Sequence, residues 1–189
     1  MSKKSTALFF LMILFSCSTK NINPNTTSIQ LELGKLEKFV DLEKRLNAVE
    51  VTRNHYVDIS EGIYPYIKNH TFKISKDFML SPEKGIELRK NYYYTDDNEV
   101  KLIFYKWSDV NSAETPKNKF KQIFNNLEKE ITNKLGASSS KNIESKKTKS
   151  DDTFRDDIKW QNSEIKVYMF RFGDRQNSFN EINVAVYKD

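Results

Sequence analysis

Few side chains in this sequence have the means to do chemistry. Its 189 residues include one cysteine, Cys17, and two histidines, His55 and His70. One thiol and two imidazoles are too few for an ordinary zinc site and cannot build a disulfide framework. No GxSxG nucleophile elbow and no phosphate-cradling glycine loop occurs. Two acidic runs remain: Asp96-Asp97-Asn98-Glu99, and Asp151-Asp152 followed by Asp156-Asp157. Calcium requires six to eight oxygens converging on one point. Neither run has the spacing of a calcium loop, and solvated turn residues account for both. The reading is therefore non-enzymatic, with no metal and no cofactor expected.

Cys17 is different because of its surroundings. Lys3 and Lys4 precede an unbroken apolar run from Ala7 to Phe15, the order of an export signal. Nine residues at about 1.5 Å each cover under half of a hydrocarbon core about 30 Å thick. Such a run can enter a translocon without serving as a span. It ends in Leu14-Phe15-Ser16-Cys17, which resembles a bacterial lipobox, although Phe15 is bulkier than the usual residue there. The resemblance implies cleavage before Cys17, a diacylglyceryl group on its sulfur and a fatty acyl chain, palmitate for example, on its freed amine. The competing reading is an ordinary secretory signal that happens to contain a cysteine. Residues 1–16 are then the signal peptide, and residues 17–28 the lipidated cysteine with its tether. At about 0.8 kcal/mol per buried methylene, two or three acyl chains hold a protein on a membrane without spanning it.

The tether, Ser18 to Ser28, has no hydrophobic period, contains Pro24 and is rich in turn-forming polar residues. Fully extended it reaches at most roughly 40 Å, so the folded part is expected to work near a bilayer. The formal charge of +5 invites a nucleic-acid reading, but Lys3 and Lys4 belong to the signal. The rest of the basic residues are mostly lysines interspersed with 26 acids, and arginines number six. A dedicated nucleic-acid binder clusters its cations and favours arginine; no nucleic-acid partner is expected. The lipid anchor, the Lys/Asn richness and the helix–sheet order resemble small envelope lipoproteins of Bacteroidota-type bacteria. That resemblance implies a cell-envelope location, on the outer membrane facing the periplasm.

Residues 29–189 must position whatever the chain presents. They read as one α+β domain: an antiparallel sheet of about five strands packed with two main helices. The first helix is expected from residue 29 to about 55, with Phe39, Leu42, Leu46 and Val49 as its buried stripe. Residues 71–74 read as a possible strand and residues 81–85 as a turn. Residues 91–95 and 100–107 read as a hairpin closed by Asp96 to Glu99. A second helix is expected to be capped by Thr115, to start at Pro116 and to end at Gly136, with Phe120, Ile123, Phe124, Leu127, Ile131 and Leu135 on one face. Residues 137–153 read as an exposed loop, and residues 154–160, 164–172 and 179–187 as three closing strands. The last two are expected to turn around residues 173–177.

Aromatic residues are the most suggestive content of these strands. Period-two alternation, matched across strands by residue type, groups Tyr105, Trp107, Tyr168, Phe170, Phe172 and Tyr187 on one side of the sheet. Val100, Leu102, Phe104, Val167, Met169, Val184 and Val186 fall on the other side, under the second helix. Two occupants compete for the aromatic side. One is the first helix; the other is a partner, an envelope protein or a glycan, since tyrosine and tryptophan favour binding surfaces. The expected function is a lipid-anchored, non-enzymatic interaction module. The alternative is a periplasmic inhibitor or immunity lipoprotein directed against a toxin or hydrolase.

Overall fold

The strand-rich stretches of the sequence pair into two meanders that share one sheet. The computed structural model describes residues 29–53, 59–110, 118–144, 153–174 and 180–188. The first meander is β3 (Lys76–Glu83), β4 (Ile86–Tyr94) and β5 (Glu99–Asp109); the second is β7 (Thr153–Gln161), β8 (Lys166–Asp174) and β9 (Asn180–Tyr187). They join along β5 and β9, with Ile103 opposite Val186, Tyr105 opposite Val184 and Trp107 opposite Ile182. Short strands finish the sheet. β1 (Gly34–Lys35) pairs with β5 at Val100, and β2 (Val49–Glu50) and β6 (Ser140–Ile143) form the two edges. The order is β2-β3-β4-β5-β9-β8-β7-β6, every pairing is antiparallel, and the sheet is open.

Turn chemistry sets the hairpins. Gly85 (φ 81°) lets β3 return as β4, and Asn98 (φ 61°) occupies the left-handed position of the β4–β5 turn, which asparagine tolerates. The Thr95 hydroxyl donates to Asp97 in that turn, and Lys73 and Lys35 pair with Asp96 and Glu99. A bulge at Lys101, where Tyr93 faces Leu102 but Tyr94 faces Val100, turns Val100 to the same side as Ile103.

Helix α2 (Lys119–Leu135) lies on the sheet through one stripe: Phe120, Ile123, Phe124, Leu127 and Ile131 are all buried. They meet Ile158, Trp160, Val167, Met169, Ile182, Val184 and Val186 in one cluster. Each such side chain contributes about 1.5–3 kcal/mol by leaving water. The helix ends at Gly136 (φ 87°), as its sequence requires; Thr115 and Pro116, read as its start, lie outside the described residues. Helix α1 (Leu36–Arg45) packs on the same side of the sheet. Its Phe39 stacks on Tyr92 with ring centroids 5.0 Å apart, and its Glu43 is fully buried against Lys90 and Tyr92.

The α+β reading and its two helices hold, but the sheet has nine strands among the described residues, not about five. The additions are of two kinds. β1, β2 and β6 have two to four residues, too short to show a period, while β3 carries Pro82 beside a register shift. The first helix is shorter than expected. Residues 29–33 are neither helix nor strand, and Asn47 with positive φ stops the helix soon after Arg45. Val49 consequently lies in an edge strand and is 58% exposed instead of sitting in a buried stripe. Residues 71–74 form no strand, because β3 begins at Lys76, and the turn read at residues 81–85 narrows to Lys84 and Gly85. Part of the expected loop after α2 is the edge strand β6. Gly173, placed in the last turn by sequence, lies within β8, and residues 175–177 lie outside the described residues.

Candidate functional site

Both helices cover one face of the sheet, so the aromatic residues of the other face need a different cover. Residues 59–72 supply it. This segment holds Gly62, Pro65 and a single 3-10 turn at Ile67–Asn69, and it lays Ile59, Ile63, Tyr64, Tyr66, Ile67 and Phe72 on the sheet. Tyr64 is the centre of that contact and is fully buried. Its ring lies edge-on to Tyr187 at 5.4 Å and to Phe72 at 6.0 Å, and parallel to His70 at 6.2 Å. Beneath lie Leu102, Ala185, Tyr187, Tyr168 and Phe170.

The sequence reading is therefore corrected in two respects. Tyr168, Phe170 and Tyr187 do share a face, with Phe172, but Tyr105 and Trp107 lie on the opposite, helix-covered face. Both are buried there, and the Tyr105 hydroxyl accepts the Gln30 N–H at 2.9 Å. Leu102 and Phe104 take their place among the aromatics. Alternation separates two faces within a strand but cannot say which face of β5 continues which face of β8; only the register Tyr105–Val184 and Val184–Met169 does that. The second correction concerns the cover. α1 lies on the same side of the sheet as α2, so the aromatic face is covered by residues 59–72, not by the first helix.

That cover is incomplete. Beside Ile63 and Gly62 a cleft of about 450 Å³ opens over Phe104, Phe170 and Phe172, with Ser60, Lys106, Arg155, Glu181 and Asn183 completing its lining. Strand parity places these groups: Lys106 on β5, Glu181 and Asn183 on β9, Phe170 and Phe172 on β8 and Arg155 on β7 all project to one side. Lys106 Nζ lies 2.5 Å from Glu181 Oε2, and Asn183 Nδ2 donates to Glu181 Oε1 at 2.8 Å. The Arg155 guanidinium lies 4.9 Å from the centre of the Phe170 ring and 4.8 Å from that of Phe172. Its Nε donates to Asp157 at 3.0 Å and its Nη2 to the Tyr168 hydroxyl at 2.5 Å; that hydroxyl donates in turn to Asp157.

These contacts set the electrostatics of the cleft wall. Burial, the largest influence on Arg155, works against its charge, but Tyr168 and Asp157 together carry its pKa upward. The Tyr168 hydroxyl is also raised, first by burial and then by its bond to Asp157. Arg155 thus keeps its charge beside the Asp157 carboxylate, and Lys106 lies beside that of Glu181. The arrangement offers fixed hydrogen-bonding groups between phenyl rings. It can hold an amphipathic ligand.

Other residues singled out by sequence fall elsewhere. Cys17, His55 and Asp151-Asp152 lie outside the described residues. His70 is a half-buried member of the covering segment, against Tyr64 and Phe72, and its buried Nε2 meets no hydrogen-bond partner among the described residues. Asp156 and Asp157 are strand residues, not solvated turn residues: Asp156 is buried on the helix side, where Arg171 Nη2 donates to it at 2.7 Å. Sequence reasoning missed Arg155, Lys106, Glu181 and Asn183. The available signal was their recurrence at alternate strand positions next to Phe104, Phe170 and Phe172. No family model, curated protein or solved structure matches the chain.

Proposed function

We propose that this chain is a lipid-anchored cell-envelope protein that acts as a non-enzymatic interaction module, receiving another envelope component in the cleft beside residues 59–72. The observation that carries this reading is the cleft itself. It is a partly open aromatic surface whose ionic groups are already paired, on the sheet face left free by both helices. Pockets of about 300–1,000 Å³ with apolar walls and a few placed polar groups are the usual form of ligand sites. The lipobox-like segment supports the anchor, and among the described residues no helix is long and apolar enough to cross a membrane.

Two measurements test the reading. Fatty-acid labelling in cells should tag the wild-type chain in the membrane fraction, and Cys17→Ala should be unlabelled and released. A photo-crosslinking residue in place of Phe104 should capture a discrete envelope component, and one in place of the exposed Lys121 should not. Unlabelled wild-type chain in the aqueous fraction rejects the anchor. Equal, unspecific capture from both positions rejects the cleft as a binding surface. Capture of a hydrolase or toxin that the chain inactivates would select the inhibitor reading instead.

A further inference from the structure

We propose that the cleft takes an uncharged glycan, a ligand built of six-membered rings with apolar C–H faces and hydroxyl-bearing edges. The inference rests on the interaction-module reading and specifies its ligand. Charge balance is the first argument. Lys106 is paired with Glu181 at 2.5 Å, and Arg155 with Asp157 just outside the lining at 3.0 Å, so each cation of the wall already has a carboxylate partner. An anionic or cationic ligand would have to compete with a partner already in place, whereas an uncharged one meets a complementary surface.

Preorganisation is the second argument. Glu181 is held by Lys106 and by Asn183, which is only 2% exposed, and Arg155 is held by Asp157 and Tyr168. The cleft therefore presents planar donors and acceptors whose rotamers are fixed before binding, which lowers the entropy cost of meeting several hydroxyls at once. Arg155 spends Nε and Nη2 on these internal bonds, and its Nη1 has no hydrogen-bond partner among the described residues. Phe104 and Phe172 are half-buried and lie between these groups, where a ring face rich in C–H can rest on their π-systems.

The same features disfavour the other occupants. An extended peptide gains its affinity from ladder hydrogen bonds at a sheet edge. This cleft lies on the face of interior strands, whose backbone groups are engaged by neighbours on both sides. An acyl chain would bury Lys106, Glu181 and Arg155 against hydrocarbon and return no hydrogen bonds.

The test is calorimetric titration of the full chain, held in nanodiscs of zwitterionic lipid, with chitotetraose, cellotetraose, maltotetraose and mannotetraose. An acidic peptide and a free fatty acid are titrated alongside. Saturable binding of at least one neutral oligosaccharide is expected, unchanged between low and high salt. Phe172→Ala and Glu181→Gln should each weaken it about tenfold, or roughly 1.4 kcal/mol. Phe172 is half-buried and Glu181→Gln is nearly isosteric; unchanged thermal unfolding of the latter separates lost binding from lost folding. Heat from none of the four oligosaccharides overturns the proposal, as does preference for the acidic peptide or the fatty acid. If the oligosaccharides fail while crosslinking at position 104 still captures a protein, the glycan is refuted and the interaction module stands. Failure of both removes both.

Discussion

Replacing Lys90 by methionine should be among the costliest single changes in this chain, although lysine is its commonest charged residue. Glu43 on α1 is fully buried and Lys90 on β4 is 5% exposed. The Lys90 ammonium donates to both carboxylate oxygens of Glu43, at 2.8 and 3.0 Å, and the Tyr92 hydroxyl donates to one of them at 2.6 Å. Burial, then Tyr105 and Glu43, raise Tyr92 far above the ordinary tyrosine range, so its O–H remains a donor. Lys90→Met keeps the unbranched stem and removes only the ammonium, leaving a carboxylate in the core with one hydrogen bond. Breaking a buried pair from one side costs about 3–5 kcal/mol. Against a total stability of about 5–15 kcal/mol, that is a large fraction. The triple variant Glu43→Leu, Lys90→Met, Tyr92→Phe leaves no stranded polar group and should recover to within about 1 kcal/mol of wild type. Urea unfolding followed by fluorescence of Trp107 and Trp160, both buried on the helix side, reads the difference. A loss below about 0.5 kcal/mol for Lys90→Met would refute this account of α1 docking. So would a triple variant no better than the single one.

Three further outcomes follow from the packing. Leu127→Ala, at a fully buried position in the middle of α2, should lose about 2–5 kcal/mol in the same assay. His70 gives a pH dependence of definite sign. Burial, then Lys101, push its imidazole below the ordinary 6.5, so the unfolded chain takes up the proton first. Its contribution is complete above about pH 6.5 and is lost as pH falls through the lower folded value. The thermal midpoint should therefore drop more steeply on acidification in wild type than in His70→Gln, and parallel slopes would contradict this. Gly173→Ala should cost about 1–3 kcal/mol, since its new methyl would lie 2.6 Å from Phe154 Cζ and 2.9 Å from Asn180 Oδ1. Chemical denaturation checks it.

Elements with long, regular periods were legible in the sequence. α2 shows why: five of its apolar residues recur on one stripe and all five are buried. β4, β5, β7, β8 and β9 were legible for the same reason, as runs of aromatic and β-branched residues. What escaped were features that exist only through pairing. β1 and β6 are held by register with β5 and β7, not by propensity. The opposite placement of Tyr105 and Tyr168 depends on a strand alignment that no local pattern encodes. Residues 59–72 carry neither helical nor strand period, yet their apolar side chains cover the aromatic side of the sheet in part. The buried charges of Glu43 and Asp156 were hidden because acids on a sequence read as surface until their partners, Lys90 and Arg171, are placed.

The first described residues fix a direction for the whole molecule. Ile29 is buried in the helix-side core, its carbonyl accepts from Lys134 near the end of α2, and Gln30 is held by Tyr105. The described chain therefore begins on the helical side of the body. The mouth between Ile63 and Phe172 opens on the opposite face of the sheet from the one where the described chain begins.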